Sequence, residues 1–247
     1  MEEKEKKETQ QKKNNKTVFG MIILLSLLLT LNLILALPDK PAITSVSNQT
    51  FANPYTGFFN ISGGYIATIN LTANFQNTNW KAFIGNVTGK FTLSDAGGST
   101  IFDWTFATTT GNVYATRSSG AITWGSINCS NVTYLENENV QLGFNSSLDN
   151  ITATFDNVTH SAFLAAGRYM SANSCPTLNT YKNNATQDAD FEEMAMYDGS
   201  NTLYATILEN DVVGYDGNPY DFQMIVPENA SSAWGGAIAY YMYVELV

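Results

Sequence analysis

Hydrophobic and polar residues alternate along much of this chain with a period of two. The clearest example is residues 65–75, in which every second side chain is apolar and those between, from Thr68 onward, are threonine or asparagine. Successive side chains of a β-strand point to opposite faces, so this pattern predicts a strand with one buried face and one solvated face.

Six further strands are predicted by the same alternation. Their apolar positions are Val87, Phe91 and Leu93; Phe102, Trp104 and Phe106; Val140, Leu142 and Phe144; Ile151, Ala153 and Phe155; Phe222, Met224 and Val226; and Ile238, Tyr240, Met242, Val244 and Leu246. Residues 95–98 have turn chemistry and join the first two of these strands into a hairpin, and Pro227 ends the fifth. After the N-terminal region, only Ser161 to Ser171 has a pattern that favours a helix, and it is short enough to be a loop with one or two turns instead.

Many short strands with one-sided alternation are typical of antiparallel sheets. The strands of a parallel α/β sheet are buried on both faces and read instead as continuous apolar runs. Because threonine, tyrosine and phenylalanine are also abundant, the chain is predicted to be all-β, with an antiparallel β-sandwich of about 200 residues.

Residues 17–37 differ from the rest because they are almost entirely apolar. About twenty such residues span a bilayer as a helix, and Lys12, Lys13 and Lys16 are expected to stay on the inner side. This order predicts four parts: a disordered cytosolic tail (1–16), a transmembrane signal anchor (17–37), a linker (38–55) and an extracellular β-sandwich domain (56–247).

Two other interpretations of the apolar segment stay open. A cleaved signal peptide has a shorter apolar core and small residues before its cleavage site, and residues 34–36 (Ile-Leu-Ala) offer an imperfect site. A type IV pilin leader would be cut between Gly20 and Met21, although no basic residue directly precedes Gly20. If either leader is cleaved, the domain is secreted.

The predicted extracellular part is strongly acidic. The whole chain has 12 basic and 22 acidic side chains, and residues 1–16 contain six lysines and four glutamates. Six basic and eighteen acidic side chains therefore remain, for a net charge of −12. This charge disfavours nucleic acid and anionic lipid head groups as partners, and solubility is a sufficient reason for it.

Eleven Asn-x-Ser/Thr sequons follow the apolar segment, about twice the number expected by chance. They begin at Asn48, Asn60, Asn70, Asn86, Asn128, Asn131, Asn145, Asn150, Asn157, Asn184 and Asn229. Asn70, Asn86 and Asn150 fall on the polar side of predicted strands, where a glycan disturbs no packing. The sequence thus predicts N-glycosylation in a host that modifies sequons; in any other host these residues only cover solvated faces and turns.

Both cysteines, Cys129 and Cys175, also follow the apolar segment. Exported chains meet oxidising conditions, so one disulfide that closes a loop of about 45 residues is predicted. A catalytic thiolate would need a nearby base, and His160 is the only histidine. Two cysteines and one histidine without close spacing do not make a structural zinc site.

The chain is predicted not to be an enzyme, because no group of residues stands out as catalytic. His160 and Ser161 are neighbours, and neighbouring side chains of a strand point apart, whereas a nucleophile and its base must converge. Carboxylates are frequent between Asp188 and Asp221, and glycosidases use a pair of carboxylates, but the sequence does not place any pair at the required separation.

The same acidic residues are weak candidates for calcium, and no other cofactor is expected. Asp188, Asp190 and Glu192 would share one side of a strand, and Asp216 begins an Asp-Gly-Asn turn. Neither segment has the spacing of a known calcium loop, so a solvated face is the simpler interpretation. Exposed aromatic residues would allow sugar binding, although such residues more often lie in a core. The tryptophan candidates are Trp80, Trp104, Trp124 and Trp234.

Two segments resemble uncharacterised archaeal exported, cell-surface proteins with a GNVTG hairpin and an aromatic terminal strand. The first runs from Trp80 through Gly-Asn-Val-Thr-Gly at 85–89 to Trp104, and the second is Tyr240 to Leu246. They cover 32 of the 247 residues. The resemblance implies an exported β-rich domain with N-glycosylation, and it implies no catalytic residues.

Together these patterns predict a non-catalytic, membrane-anchored envelope glycoprotein with a structural or adhesive role. Its expected partners are the membrane and other envelope proteins, glycans or copies of itself. One alternative is a subunit of an extracellular filament assembled by strand exchange, in which a segment such as Pro41 to Phe59 completes a neighbour's sheet after leader cleavage. Another alternative is a carbohydrate-binding module.

Overall fold

The described part of the chain consists mainly of antiparallel strands. The computed structural model describes residues 37–50, 76–105, 108–230 and 237–247, together with residues 62, 63, 66 and 68, and leaves out the side chains of residues 188 and 189. All of these residues belong to one unit, Ala36–Val247. Residues 17–36, most of the predicted strand 65–75, Phe106 and Trp234 lie outside the description.

Fourteen strands and two short α-helices are present in these residues. The strands are β1 (Trp80–Gly85), β2 (Lys90–Ser94), β3 (Thr100–Thr105), β4 (Gly111–Thr116), β5 (Asn128–Cys129), β6 (Phe163–Ala165), β7 (Arg168–Met170), β8 (Thr177–Lys182), β9 (Thr186–Tyr197), β10 (Thr202–Ile207), β11 (Val212–Val213), β12 (Pro219–Tyr220), β13 (Phe222–Pro227) and β14 (Tyr241–Leu246). The helices are α1 (Val132–Leu142) and α2 (Ile151–Thr154). The predicted all-β, antiparallel class is confirmed.

The largest sheet has six strands. β14, β4, β10 and β9 follow one another across it, and both β5 and β8 pair with β9. Cys129 of β5 lies opposite Met196, and Thr177 of β8 lies opposite Met194. Ala195, between them, accepts a hydrogen bond from the N–H of Ser130 and donates one to the carbonyl of Pro176, each 2.9 Å long. β5 and β8 therefore continue one another along the outer edge of β9.

This sheet is buried on both faces. Alternate residues of β4, β9, β10 and β14 contribute to two separate cores, because successive side chains of a strand point to opposite sides. The core on the first face contains Val113, Ala115, Leu178, Ala195, Tyr204, Met224 and Val226 together with helix residues. The core on the second face contains Tyr114, Phe163, Met170, Met194, Met196, Leu203, Ala205 and Tyr243.

Different elements cover the two faces. The first face packs against the β1–β13 ladder and against Leu135, Leu142 and Ile151 of the helices. The second face packs against the β6–β7 hairpin. The helices and this hairpin all lie between Cys129 and Cys175, so one excursion of the chain from the sheet helps to cover both cores.

The Cys129–Cys175 disulfide closes that excursion. It joins the end of β5 to the residue two before β8, at the point where these two strands meet along the edge of β9. The predicted disulfide is therefore confirmed. It holds together two points of the chain that are 46 residues apart in sequence.

Two predicted strands are wrong, because their residues form the helices. Asn131 precedes α1 in an extended conformation, and its side chain accepts a hydrogen bond from the N–H of Tyr134; Gly143 ends the helix with a φ of 73°. Asn150 caps α2 in the same way through the N–H of Ala153. Asparagine before a helix and glycine after it are standard end signals, and here they override a short apolar alternation.

The predicted helix at 161–171 is also wrong. These residues form β6 and β7, joined by a tight turn in which Ala166 and Gly167 have φ values of 49° and 76°. The apolar positions Phe163, Ala165 and Met170 are buried in the core of the second face.

The hairpin and the two C-terminal strands are confirmed. β2 and β3 pair around the 95–98 turn, and β13 ends with the predicted Pro227. The predicted apolar face packs against the core of the first face: Met242, Val244 and Leu246 lie in β14, and Ile238 and Tyr240 lie just before it.

The segment after the predicted anchor contacts the edge of the sheet. Asp39, which lies in the range predicted as a linker, exchanges two backbone hydrogen bonds with Val244 of 3.0 and 2.8 Å. Among the residues that the structure describes, no helix combines the length and the apolar character that a membrane span requires.

Candidate functional site

A polar cleft of about 360 Å³ lies beside one end of the six-stranded sheet. Three pieces of chain form its walls: the end of β4 (116–119), one side of α1, and the turn that connects β9 to β10 (197–202). Most of its lining side chains are hydroxyls and amides, and two are tyrosines. A cleft of this size falls in the range of small-molecule sites.

One face of α1 is turned toward the cleft. Tyr134, Asn137, Glu138 and Gln141 line it, and positions i, i+3, i+4 and i+7 of a helix lie on the same side. The adjacent side of α1 supplies Leu135 and Leu142 to the core. The helix is therefore held by its apolar residues and presents its polar ones to the cleft.

A partly buried ion pair forms the floor of the cleft. Arg117 donates two hydrogen bonds to Glu138, from Nε to Oε1 (2.6 Å) and from Nη2 to Oε2 (2.9 Å). The Glu138 side chain is 4% exposed and that of Arg117 is 31% exposed. Hydrogen bonding to Glu138 raises the pKa of Arg117, so the guanidinium keeps its charge. Nη2 of Arg117 also donates to Gln141.

The two tyrosines of the cleft stack on each other. The rings of Tyr134 and Tyr197 are 13° from parallel, with centroids 3.8 Å apart. Tyr134 stands on the first turn of α1 and Tyr197 at the end of β9, so the stack connects the helix to the sheet. Both side chains are half-buried.

The third wall is held by one carboxylate. Asp198 accepts hydrogen bonds from the backbone N–H groups of Ser200 (2.9 Å) and Asn201 (2.6 Å), and from that of Thr123 (3.0 Å). Burial opposes ionisation of Asp198, but the hydrogen bonds from Asn201, Thr123 and Ser200 outweigh it and lower the pKa. The charged form thus fixes the turn that supplies Ser200 and Asn201 to the cleft.

Glu245 is a second buried carboxylate, on the opposite face of the sheet. It accepts hydrogen bonds from the Tyr114 hydroxyl (2.5 Å) and from the N–H groups of Ala166 (2.9 Å) and Gly167 (3.3 Å). Burial, with the nearby charge of Glu245, raises the pKa of Tyr114, which therefore stays a donor. These contacts hold the β6–β7 turn against β4 and β14, so we assign Glu245 a structural role.

Glu193 is a third buried carboxylate and is less well satisfied. Its Oε2 accepts a hydrogen bond of 2.8 Å from the N–H of Ile225. Among the described residues, its Oε1 and the hydroxyls of Tyr204 and Thr206 have no hydrogen-bond partner. Burial raises the pKa of Glu193 well above its usual value, which favours the neutral acid.

Replacing Glu193 with glutamine is expected to stabilise the protein at neutral pH. An acid with a raised folded pKa binds its proton more tightly in the folded state, so its contribution to stability falls as pH rises above the unfolded pKa of about 4.3. Glutamine has no charge to bury, and we expect a gain of roughly 1 to 3 kcal/mol at pH 8 and little change at pH 4.

The measurement is urea unfolding of both proteins between pH 4 and 8. Burial and the charges of Asp190 and Glu192 raise the pKa of Glu209 to about 7. The unfolding free energy of the variant is therefore still expected to fall with rising pH, but less steeply than that of the wild type. If the unfolding free energies of the wild type and of Glu193→Gln depend on pH in the same way, the raised pKa of Glu193 is contradicted.

His160 has a structural role. Its Nε2 accepts hydrogen bonds from the N–H groups of Ser174 and Cys175, each 2.9 Å long, so the proton is on Nδ1, which donates to the Ser161 carbonyl at 2.7 Å. The N–H of Ser161 donates to Glu192 at 2.8 Å. These bonds fix the chain beside the disulfide.

Three of the calcium candidates, Asp188, Asp190 and Glu192, lie on β9, and the fourth, Asp216, lies in the β11–β12 turn. Asp190 pairs with Lys182, and Glu192, predicted on a solvated face, is instead buried. Asp216 is exposed in the turn between β11 and β12 and accepts from Asn218 and Tyr220. The side chain of Asp188 is outside the description. In the described ranges, no three histidine, cysteine or acidic side chains are grouped so that they could hold a metal ion.

Most of the described sequon asparagines are exposed: Asn48, Asn86, Asn128, Asn131, Asn145, Asn157 and Asn184. Asn150 and Asn229 are half-buried, and Asn60 and Asn70 lie outside the description. Asn150, predicted on the polar face of a strand, caps α2 and donates to the Ser146 carbonyl at 2.6 Å. N-glycosylation stays a prediction.

The tryptophans are divided between core and surface. Trp80 packs against the core of the first face, and Trp124 packs between Tyr114 and Tyr243 with centroids 5.2 Å from each. Trp104 is 52% exposed on the β2–β3 hairpin.

The cleft itself was not predicted from the sequence. The local signal was the spacing of Tyr134, Asn137, Glu138 and Gln141 on a helix that begins after Asn131 and ends before Gly143. Their contact with Arg117 and Tyr197 depends on the tertiary fold. In comparisons with known proteins, no family model, curated protein or solved structure matches this chain.

Proposed function

We propose that this chain is a non-catalytic envelope glycoprotein with a structural or adhesive role. Residues 17–37 anchor it in the cell membrane with the N-terminus inside, and the β-domain, a sandwich with its cores on the two faces of the six-stranded sheet, lies outside and carries N-glycans. The resemblance of its hairpin and last strand to archaeal surface proteins supports the same compartment.

The Cys129–Cys175 disulfide is the observation that carries this proposal. Structural disulfides persist in oxidising compartments and are rare in the cytosol. Cys175 is fully buried in the core of the second face. The bond joins the end of β5 to the residue two before β8, and both strands lie along the outer edge of β9. It is therefore part of the folded architecture, which agrees with a domain that folds after export.

The cleft supports an adhesive role rather than catalysis. It brings together amides, hydroxyls, two tyrosines and one ion pair whose charges compensate each other. Such a set provides many hydrogen bonds of modest strength, and these are the means by which binding sites orient a polar ligand.

The proposal is tested by the intact mass of the native protein from isolated membranes and from the culture fluid, before and after deglycosylation. A membrane-bound species that retains residues 1–37 and loses mass on deglycosylation is the expected result. A cytosolic species with free thiols would overturn the proposal, and specific turnover of glycans or peptides by the purified protein would remove its non-catalytic part.

A filament subunit assembled by strand exchange is the second candidate, and the β2–β3 hairpin favours it. Leu93, Phe102 and Trp104 are 56%, 58% and 52% exposed on this hairpin. Ile43 and Val46, in the segment proposed to leave its own domain, are 70% and 76% exposed outside any strand. An apolar strand face and an apolar unpaired segment are the two components that strand exchange requires.

The two candidates differ in the processed form. Strand exchange predicts a species that starts near Leu37 and elutes as large assemblies. The substitution Phe102→Ser is expected to convert these assemblies to monomer. Membrane-bound monomer with residues 1–16 still attached would rule out the filament and leave the anchored protein.

A further inference from the structure

We infer that the polar cleft between β4, α1 and the β9–β10 turn binds the end of a neutral saccharide. This inference rests on the adhesive role proposed above and names its ligand class. Size is the first reason, since a cleft of about 360 Å³ is at the small end of ligand sites and suits one or two sugar rings rather than a polymer segment.

The hydrogen-bonding groups of the cleft match a polyhydroxy ligand. A guanidinium has five N–H donors, and among the described residues three of those of Arg117 are used by Glu138 and Gln141. The two on Nη1 are left to donate to ligand oxygens. The Asn137 amide offers two N–H donors and one acceptor, and the hydroxyls of Ser118 and Ser119 each offer one donor and accept as well.

Aromatic surface in the cleft provides the apolar contact that a sugar ring needs. The Tyr134–Tyr197 stack is rigid because one ring is fixed on a helix and the other on a strand end. Tyrosine combines an apolar ring with a polar hydroxyl, so it suits ligands whose rings have C–H faces and hydroxyl edges.

Charge argues for a neutral saccharide over an acidic one. The Arg117 charge is balanced by Glu138 at 2.6 Å, and the other lining residues are uncharged at neutral pH. The net charge of the predicted extracellular part, −12, also repels anions at long range.

The experiment uses the full chain in a detergent without a sugar head group. The retention of the protein is measured on immobilised mono- and disaccharides of glucose, galactose, mannose and N-acetylglucosamine. Immobilised glucuronic acid is the acidic comparison. We expect retention on at least one neutral sugar and none on glucuronic acid.

Asn137→Ala is the first test variant, because Asn137 is exposed on α1 and alanine favours a helix. We expect it to weaken retention by about tenfold, since loss of a central contact typically costs more than 1 kcal/mol. Tyr197→Ala is expected to abolish retention.

Val140→Ala is the matched control, because Val140 is 80% exposed on the same helix and does not line the cleft. Trp104→Ala controls for sugar binding at the hairpin. Both are expected to bind as the wild type does.

The inference is overturned if no neutral sugar is retained, or if Trp104→Ala abolishes retention while Asn137→Ala and Tyr197→Ala do not change it. The proposed function fails separately, through the mass and the location of the native protein. A disulfide-bonded, membrane-anchored protein that binds no sugar would leave the envelope role intact.

Discussion

Arg117→Met is expected to destabilise the protein by about 3 kcal/mol, because it leaves the buried carboxylate of Glu138 without its partner. Glu138 is 4% exposed and receives both of its short hydrogen bonds from Arg117. Breaking one side of a buried pair costs far more than the pair itself contributes, since the remaining charge stays desolvated. The arginine is 31% exposed, so the lower end of the usual range is expected.

The double variant Arg117→Met, Glu138→Met separates these two effects. It removes the uncompensated charge, so most of the lost stability is expected to return. The measurement is chemical unfolding of the full chain, followed by the fluorescence of the partly buried Trp80 and Trp124.

Lys90→Met is the matched control, because Lys90 pairs with Asp103 on the exposed hairpin, where the two side chains are 52% and 39% exposed. Exposed pairs contribute little, and a change below about 0.5 kcal/mol is expected. A similarly small effect of Arg117→Met would show that Glu138 reaches solvent, and it would remove the fixed floor from the cleft.

Sequence patterns identified strands whose apolar and polar side chains alternate, whether or not either face is exposed. In the β2–β3 hairpin and in β14, one face is apolar and the other polar, and this difference is what period-two alternation detects. β4 and β10 were missed because both of their faces are buried. A strand between two cores needs no polar side, so its sequence need not alternate.

The two helices show where local end signals outweigh a short apolar pattern. Val140, predicted to lie on a strand face, is 80% exposed on α1, whereas Leu135 and Leu142, seven positions apart, are buried. That spacing is helical, and Asn131 and Gly143 mark the ends of the helix. These end signals are present in the sequence, and they compete there with only three alternating apolar residues.

The candidate site could not be derived from the chain alone. Arg117 follows a strand, Glu138 lies on a helix 21 residues later, and Tyr197 ends another strand. Their approach depends on how the excursion between the two cysteines packs against the first face of the sheet. By contrast, the disulfide needed only two cysteines and a predicted compartment, and it was predicted correctly.

Loss of the disulfide is expected to reduce the free energy of unfolding by about 4 kcal/mol. In the loop-entropy model this cost grows with the length of the closed loop, which is 46 residues here. The excursion inside that loop carries α1, α2, β6 and β7, so without the bond the unfolded chain gains freedom over all of them. Cys129→Ala, Cys175→Ala is preferred to serine, because Cys175 is fully buried among apolar side chains.

Reducing agent provides the internal control for this prediction. Wild type with reductant is expected to match the double variant without it, and the double variant is expected not to respond to reductant. Equal unfolding free energies for the oxidised wild type and the double variant would show that β5 and β8 hold their places along β9 by hydrogen bonds alone. The disulfide would then lose its role in closing the fold, and with it the main support for a domain that folds after export.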